Sequence, residues 1–390
     1  MNLDKLVNPT VDALPPSGIR KFFDVVSTMK DAISLGVGEP DFVTPWSIRE
    51  AGIYSLEKGQ TYYTANSGLI ELREEICTYM KRKYDISYDA KTQVLVTVGG
   101  SEAIDAMIRS VVRPGDEVLI PEPSFVCYKP LTIMAGGVPV IIETKEEDNF
   151  RLTPKQLKEK ITDKTKLLIL PYPNNPTGAI MTKTDLEAIA EVLKDTNILV
   201  LSDEIYAELC YSDEEHVPFS KIDGMYERTV VVNGFSKAFA MTGWRLGYAM
   251  GPERILKLMT KVHQYGIMSS PTTSQYAAIE ALRNCDDDVL RMRDEYNHRR
   301  RVIVDRFRNM GLSCFEPYGA FYVFPCIKKT GMTSEEFCNR LLEEERVAVV
   351  PGTGFGECGE GFIRCSYAYS IEKIEEALSR IERFVQRHSN

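Results

Sequence analysis

Residues 232–248 read Val-Asn-Gly-Phe-Ser-Lys-Ala-Phe-Ala-Met-Thr-Gly-Trp-Arg-Leu-Gly-Tyr, which sets Lys237 among apolar and glycine neighbours and not on a charged surface. A lysine deprived of hydration loses its proton more readily, and the free amine is a nucleophile that condenses with aldehydes. Ser236 places a hydroxyl beside it, and eight residues on Arg245 supplies a permanent charge suited to a phosphate. Together they describe a seat for a phosphorylated aldehyde. The tetrapeptide Gly-Phe-Ser-Lys alone reads more readily as a surface lysine with a buried stem.

Four other stretches carry residues fit for chemistry. Thr97-Val98-Gly99-Gly100-Ser101-Glu102 reads as a strand running through glycines into a helix. Free N–H groups and the helix dipole there favour a phosphate, although such glycine pairs are also ordinary turns. Pro171-Tyr172-Pro173-Asn174-Asn175-Pro176-Thr177-Gly178 follows an apolar run and offers Asn175 as a neutral donor; a plain turn explains the composition as well. Leu201-Ser202-Asp203-Glu204-Ile205-Tyr206 ends an apolar strand in a carboxylate, which is costly unless it meets a cation. Arg364 lies inside the apolar run of residues 361–367. Its planar guanidinium suits a carboxylate held by two hydrogen bonds, from a ligand or from an internal Asp or Glu.

These residues need elements to hold them. From about 93 to 232, short apolar and β-branched runs are expected as strands at 94–98, 117–120, 138–142, 167–170, 198–201 and 229–232. Near-continuous apolar character marks strands buried on both faces, and helical segments between them imply a mostly parallel α/β sheet. Ligands of such sheets sit beyond the carboxyl ends of the strands, where the loops just named emerge. Residues 46–59 and 67–83 have helical spacing, the second with Leu69, Leu72, Ile76 and Met80 on one face and Ser67 as N-cap. Residues 253–310 read as helices, with Arg291, Arg293, Arg299, Arg300 and Arg301 expected on a solvated face. The last eighty or so residues suggest an α+β unit, with strands near 312–316, 320–326, 347–350 and 361–367 and helices near 333–345 and 370–387. Residues 1–30, with Pro9, Pro15, Pro16 and Gly18, read as an arm lying on something else.

The composition narrows the function classes. A chain of 390 residues, 44% apolar, holds one large and one smaller domain. Its net charge of −9 argues against a nucleic-acid or anionic-membrane partner. There is no apolar run of membrane-spanning length and no leader-like pattern at the N-terminus. Nine cysteines without a Cys-x-x-Cys pair are expected as reduced thiols of a cytoplasmic protein. Four scattered histidines make a metal site or a Ser-His-Asp triad a poor reading.

The lysine stretch, through Thr-Gly-Trp-Arg-Leu-Gly-Tyr, closely resembles the lysine motif of class I/II aminotransferases, enzymes of fold type I that use pyridoxal 5'-phosphate (PLP). Asn175-Pro176-Thr177-Gly178 resembles that family's Asn-Pro-x-Gly, and Arg364-Cys365-Ser366 its Arg-x-Ser. Tyr63, Gly68, Leu72 and Arg73 resemble its Tyr-x-x-x-x-Gly-x-x-x-Leu-Arg segment, and the spacing from Asp203 to Tyr206 and on to Lys237 also matches. The likeness covers roughly residues 15–385. It implies the aspartate-aminotransferase-like fold: a large domain over 46–285 with a seven-stranded type of sheet, and a small α+β domain over 286–390 joined by the arm, 1–45.

The same resemblance assigns roles. Lys237 would hold PLP as a Schiff base and then carry the proton between substrate and cofactor, with Asp203 and Tyr206 completing the catalytic set. Asp203 would face the protonated ring nitrogen, Asn175 and Tyr206 the ring oxygen, and Phe125 would stack on the ring, where many relatives carry Trp or Tyr. Gly100, Ser101, Glu102, Ser236 and Arg245 would hold the phosphate. Gly234 stands where the family often has serine, which leaves Ser236 to compensate. Arg364 would bind the substrate α-carboxylate, and Gly38, in Gly36-Val37-Gly38-Glu39-Pro40, would line the substrate side. Tyr63 would reach the phosphate of a partner in a homodimer with shared sites. Without the resemblance, Gly38 is as readily a turn glycine and Tyr63 a packed loop tyrosine.

The implied reaction moves an amino group between an L-amino acid and a 2-oxo acid such as 2-oxoglutarate. The pattern is most similar to the branch of broad aspartate and aromatic aminotransferases and N-acetyl-L,L-diaminopimelate aminotransferases. The run Ser17-Gly18-Ile19-Arg20-Lys21-Phe22 shares that likeness; as a mobile arm it would offer Ile19 for apolar contact and Arg20 or Lys21 as a distal charge. No motif for a rigid second arginine clamp is present. A β-C–S lyase or cyclopropane-forming synthase on the same fold, and a non-catalytic PLP-sensing domain, remain as alternatives.

Overall fold

The computed structural model describes residues 1–16, 29 and 31–388. The run Ser17–Phe22, with Ile19, Arg20 and Lys21, lies outside the described residues. The strands are β1 Ile33–Ser34, β2 Val94–Thr97, β3 Glu117–Glu122, β4 Val138–Glu143, β5 Thr165–Leu170, β6 Leu199–Asp203, β7 Thr229–Gly234, β8 Gly247–Met250, β9 Tyr322–Val323, β10 Val347–Ala348, β11 Val350–Pro351 and β12 Ile363–Ser366. Seven form one sheet in the order β2-β8-β7-β6-β5-β3-β4. The run from β7 to β4 is parallel throughout, and β8 lies antiparallel between β2 and β7.

Six of the seven are the strands expected from their apolar runs. β8 was not, because Gly247-Tyr248-Ala249-Met250 is short and begins inside the lysine motif. Its place matters most for the site. β7 leaves the sheet at its carboxyl end, residues 235–246 loop out, and β8 returns with Gly247 opposite Gly234. Lys237 and Arg245 therefore hang from one end of one strand pair.

Helices cover both faces. Gly100–Val111 and Glu253–Gly266 pack together on one, around Leu95, Met107, Leu167 and Met259. Pro154–Lys160 and Lys183–Leu193 close the other around Leu168, Ile189 and Leu193. Thr272–Asn284 packs on both Trp46–Glu57 and Ile70–Tyr84. The latter helix begins later than expected, and Ser67 does not cap it: Leu69 occupies the cap position, and its N–H is satisfied by Gln275 Oε1 at 2.8 Å. A side chain more than two hundred positions away thus anchors the residue that starts the helix, while no side chain caps its first turn.

In the C-terminal part β11-β12-β9 form a small antiparallel sheet, and β10 pairs in parallel with β1. No strand forms at 312–316, where Cys314 makes only an isolated bridge to Pro325. Helices Asp286–Asn309, Ser334–Glu345 and Ile371–His388 enclose a core containing Phe307, Phe321, Phe337 and Phe384. Among the described residues no helix is long and apolar enough to cross a membrane, and all nine cysteines are free thiols.

The arginine run does not lie wholly in solvent. Arg291 and Arg301 are exposed, but Arg299 and Arg300 are buried. Arg299 donates to both oxygens of Asp41, at 2.8 and 2.9 Å, and to Glu295 at 2.9 Å, while Arg300 pairs with Glu316. The expectation failed because Asp41, the partner that makes burial tolerable, is remote in sequence. We expect Arg299→Met, which keeps an apolar stem but removes the hydrogen bonds to Asp41 and Glu295, to lower unfolding free energy by about 1–2 kcal/mol, since the carboxylates left behind are open to solvent. Arg301→Met should change it by less than about 0.5 kcal/mol. Urea denaturation of the two variants checks both.

Candidate active site

Beyond the carboxyl ends of β5, β6 and β7 lies a cavity of about 400 Å³. Gly38, Gly100, Ser101, Phe125, Asn175, Asp203, Tyr206, Ser236, Lys237, Arg245 and Arg364 all line it. Of the residues picked out in the sequence, Glu102 and Tyr63 do not.

At one end, Gly99 turns the chain from β2 into helix Gly100–Val111 with φ 77°. A Cβ on Gly99 would stand 2.6 Å from the Arg245 guanidinium, so its absence lets the cation lie across the helix start. First-turn N–H groups, the Ser101 and Ser236 hydroxyls and Arg245 there form a dianion seat. Glu102 turns its carboxylate away: it accepts from the Val98 N–H and sits 2.5 Å from His263 Nδ1, bracing the turn from behind. A serine at 234 would be tightly placed, since its Cβ would lie 3.0 Å from Gly247 Cα and 3.1 Å from the Leu246 carbonyl, and the neighbouring backbone would have to give by a few tenths of an ångström.

Lys237 projects into the middle, where Nζ donates to the Gly38 carbonyl at 2.6 Å. Burial lowers its pKa to about 8; Arg364 and Arg245 push the same way and Glu39 opposes them. A sizeable fraction of this amine is therefore unprotonated slightly above neutral pH.

Asp203, the last residue of β6, is 6% exposed. It accepts from the Tyr128 hydroxyl at 2.6 Å and from the Ile205 N–H at 3.2 Å. Burial raises its pKa to about 6 against the pull of both bonds. Among the described residues no cation pairs with it. A buried carboxylate with two donors and no counter-charge fits a protonated ring nitrogen. Tyr128 was missed in the sequence, although the spacing Phe125-x-x-Tyr128 at a helix start is a usable signal. The two rings meet edge-on at 6.0 Å.

Arg364 on β12 is 2% exposed. It donates to Asn175 Oδ1 at 2.9 Å and to the Gly36 carbonyl, and its Nε has no partner. No carboxylate pairs with it among the described residues, so the internal ion pair left open by the sequence is not formed. A buried cation that lines the cavity without a carboxylate partner among the described residues fits a ligand carboxylate. The guanidinium lies 4.5 Å from the Tyr322 ring centroid and 4.7 Å from that of Phe355. Asn175 spends its carbonyl on Arg364, which leaves its NH2 for the cavity.

Tyr322 was also missed, because Gly-Ala-Phe-Tyr-Val-Phe reads only as a buried strand. Its hydroxyl is 2.8 Å from that of Tyr206. The same hydroxyl occupies a point 2.3 Å from where a Gly38 Cβ would be, so Gly38 is required by packing against the site and not by its own turn. Tyr63 is 81% exposed and outside the cavity. The residues present thus match PLP in each part: a dianion seat, a reactive amine, a stacking ring and a carboxylate for the ring nitrogen.

A carboxyl whose folded pKa, about 6, exceeds its ordinary 3.8 carries a stability cost that is full above pH 6 and gone below about pH 4. We therefore expect PLP-free Asp203→Asn protein to be more stable than wild type by about 1–3 kcal/mol at pH 7.5, the gap closing by pH 4. Urea melts across that range measure it.

The family model described as Aminotransferase class I and II matches residues 30–381. The chain is 47% identical over 378 residues to an aspartate aminotransferase of Pyrococcus abyssi, covering 96% of this chain and 97% of the relative. It is 44% identical over 383 residues to a probable N-acetyl-LL-diaminopimelate aminotransferase of Bacillus subtilis, covering 98% and 96%. The crystal structure of an aromatic aminotransferase from Pyrococcus horikoshii superposes with a TM-score of 0.90 at 47% identity, covering 94% of this chain and 99% of that one. Members of this family are generally PLP-dependent. With the match running through every loop that lines the cavity, the chain belongs to the class I and II aminotransferases and is a transaminase of fold type I.

Proposed function

We propose that this transaminase carries PLP on Lys237 and exchanges amino groups between 2-oxoglutarate or glutamate and a broad set of partners of the aspartate, aromatic or N-acetyl-L,L-diaminopimelate type. The observation that carries the reading is a low-pKa lysine set in one cavity between a dianion seat, a buried carboxylate and a buried arginine, the last two without counter-charges among the described residues. Bound PLP supplies an electron sink for the α-carbanion. The chain's own groups do the rest. Asp203 keeps the ring nitrogen protonated, and Tyr128 orients Asp203. Asn175 and Tyr206 donate to the ring oxygen, Phe125 walls one ring face, and Gly100, Ser101, Ser236 and Arg245 fix the phosphate, with Glu102 bracing its turn. Arg364 holds the α-carboxylate, which sets the Cα–H bond toward Lys237. Lys237, a buried amine with a pKa of about 8 in the middle of the cavity, would be the group that takes up and returns that proton.

The breadth of partners rests on which cations line the cavity. Lys237, Arg245 and Arg364 each have a task already, so no described lining residue is left to clamp a distal carboxylate. That contact falls to Arg20 or Lys21 of the arm, with Ile19 for apolar side chains. The protein acts as a homodimer, with Tyr63 reaching the partner's phosphate. The support is a set of exposed large apolar residues in the same part of the sequence, Trp46, Ile53, Tyr54, Leu56 and Tyr62, which a monomer would leave in solvent. Residues 46–285 form the large domain, and 1–45 with 286–390 the small one. A cytoplasmic location suits nine free thiols.

The deciding experiment is a panel of aspartate, tyrosine, phenylalanine, alanine and N-acetyl-L,L-diaminopimelate against 2-oxoglutarate, alongside pyruvate and ammonia release from cystathionine. Transfer from several donors supports the reading; activity confined to alanine, or to cystathionine cleavage, overturns it. Borohydride should fix PLP to wild type and not to Lys237→Ala, with a rate loss of several orders of magnitude in the latter. Arg364→Ala should weaken amino and keto acids about ten- to a hundred-fold, the equivalent of ~1.5–3 kcal/mol, and leave amines lacking the carboxylate nearly unchanged.

A further inference from the structure

We propose that Tyr322 is a positioning residue that couples the substrate-carboxylate site to the donor strength of Tyr206 at the cofactor ring oxygen; this rests on the function proposed above. Tyr322 sits on β9 opposite Ser366 of β12, so its place beside Arg364 is fixed by strand register. The side chain has two faces at work. Its ring lies 4.5 Å from the Arg364 guanidinium, within reach for a cation–π contact. Its hydroxyl lies 2.8 Å from that of Tyr206.

A phenol has one proton to give. Once Tyr206 directs its proton to the ring oxygen, the bond between the two hydroxyls is made with the proton of Tyr322. A hydroxyl that accepts a bond donates its own more strongly, by about 10–30%. Tyr322 thereby sharpens the Tyr206 donation without touching the ring oxygen. Gly38 provides the space: the Tyr322 hydroxyl fills the point a Cβ would need, and the carbonyl of the same glycine accepts from Lys237. The charged and titratable groups facing the pair are Arg364, Asp203 and Lys237, with the buried Tyr128, Tyr296 and Tyr367 and the half-buried Tyr369 behind.

The test follows the visible absorbance of the PLP-loaded protein against pH for wild type, Tyr322→Phe, Tyr206→Phe and the double variant. Weaker donation disfavours the high-pH form, in which the ring oxygen carries its full negative charge, so the midpoint rises. Tyr322→Phe should raise it by about 0.1–0.7 pH unit, and Tyr206→Phe by more. Tyr322→Phe should add nothing once Tyr206 is gone. With the ring retained, 2-oxoglutarate affinity stays within about threefold. Tyr322→Leu loses both contacts: it repeats the midpoint shift and weakens 2-oxoglutarate by a further factor of roughly 3–10. A merely structural tyrosine would lower Tm and leave the midpoint in place. An unmoved midpoint in both variants, or an equal increment in the Tyr206→Phe background, overturns the inference alone. A wild-type protein that gains no visible band with PLP overturns the proposed function and this inference with it.

Discussion

Where the edge strand β2 and its neighbours β8 and β7 end, three stretches of backbone meet with almost no side chain between them. Gly247 of β8 lies against Gly99 and Gly100 and opposite Gly234 of β7; a Cβ on Gly247 would come within 2.6 Å of Gly100 N. Everything at the phosphate end follows from that contact. It seats the helix start beneath the returning strand, holds the ends of the 235–246 loop together, and so aims Lys237 and Arg245 at the same volume. Glycine is needed here for closeness of approach, which no larger residue can give. The departure at Gly234 from a hydroxyl residue belongs to the same packing.

Around this scaffold the chain keeps charges that its own residues do not neutralise. Among the described residues the Asp203 carboxylate is buried without a cation and Arg364 without an anion, and Lys237 is pushed toward neutrality. Each is unfavourable in the isolated fold, and each is relieved by one part of an amino-acid–cofactor pair. Pre-set, unpaired charges of this kind are the electrostatic form of a site built for its ligands at some expense of stability.

Much of this was readable in the amino-acid order. Six of the seven large-sheet strands carry continuous apolar runs, and the loops at their carboxyl ends bear Asn175, Asp203 and Lys237, so local pattern and chemistry coincide. What was unreadable depends on contacts between distant segments. β8 hides inside a motif rich in glycine and aromatics. The start of helix Ile70–Tyr84 is anchored by Gln275 through the Leu69 N–H, and Arg299 is buried because Asp41 meets it. Tyr322 looks like any strand aromatic until β9 is laid beside β12. Tyr128 alone among the missed residues had a local cue, its spacing from Phe125.

The segment from Ile33 to Phe42 adds a mechanical consequence. At Leu35 it is stitched on both sides to the C-terminal part, giving its N–H to Ala348 and taking that of Ser366. At Asp41 it is pinned to Arg299. Between these fixed points the carbonyls of Gly36 and Gly38 hold Arg364 and Lys237, two positions apart on one extended stretch. The segment therefore works as a tie-rod: a displacement of the C-terminal part reaches the carboxylate-binding arginine and the reactive lysine by the same rigid link.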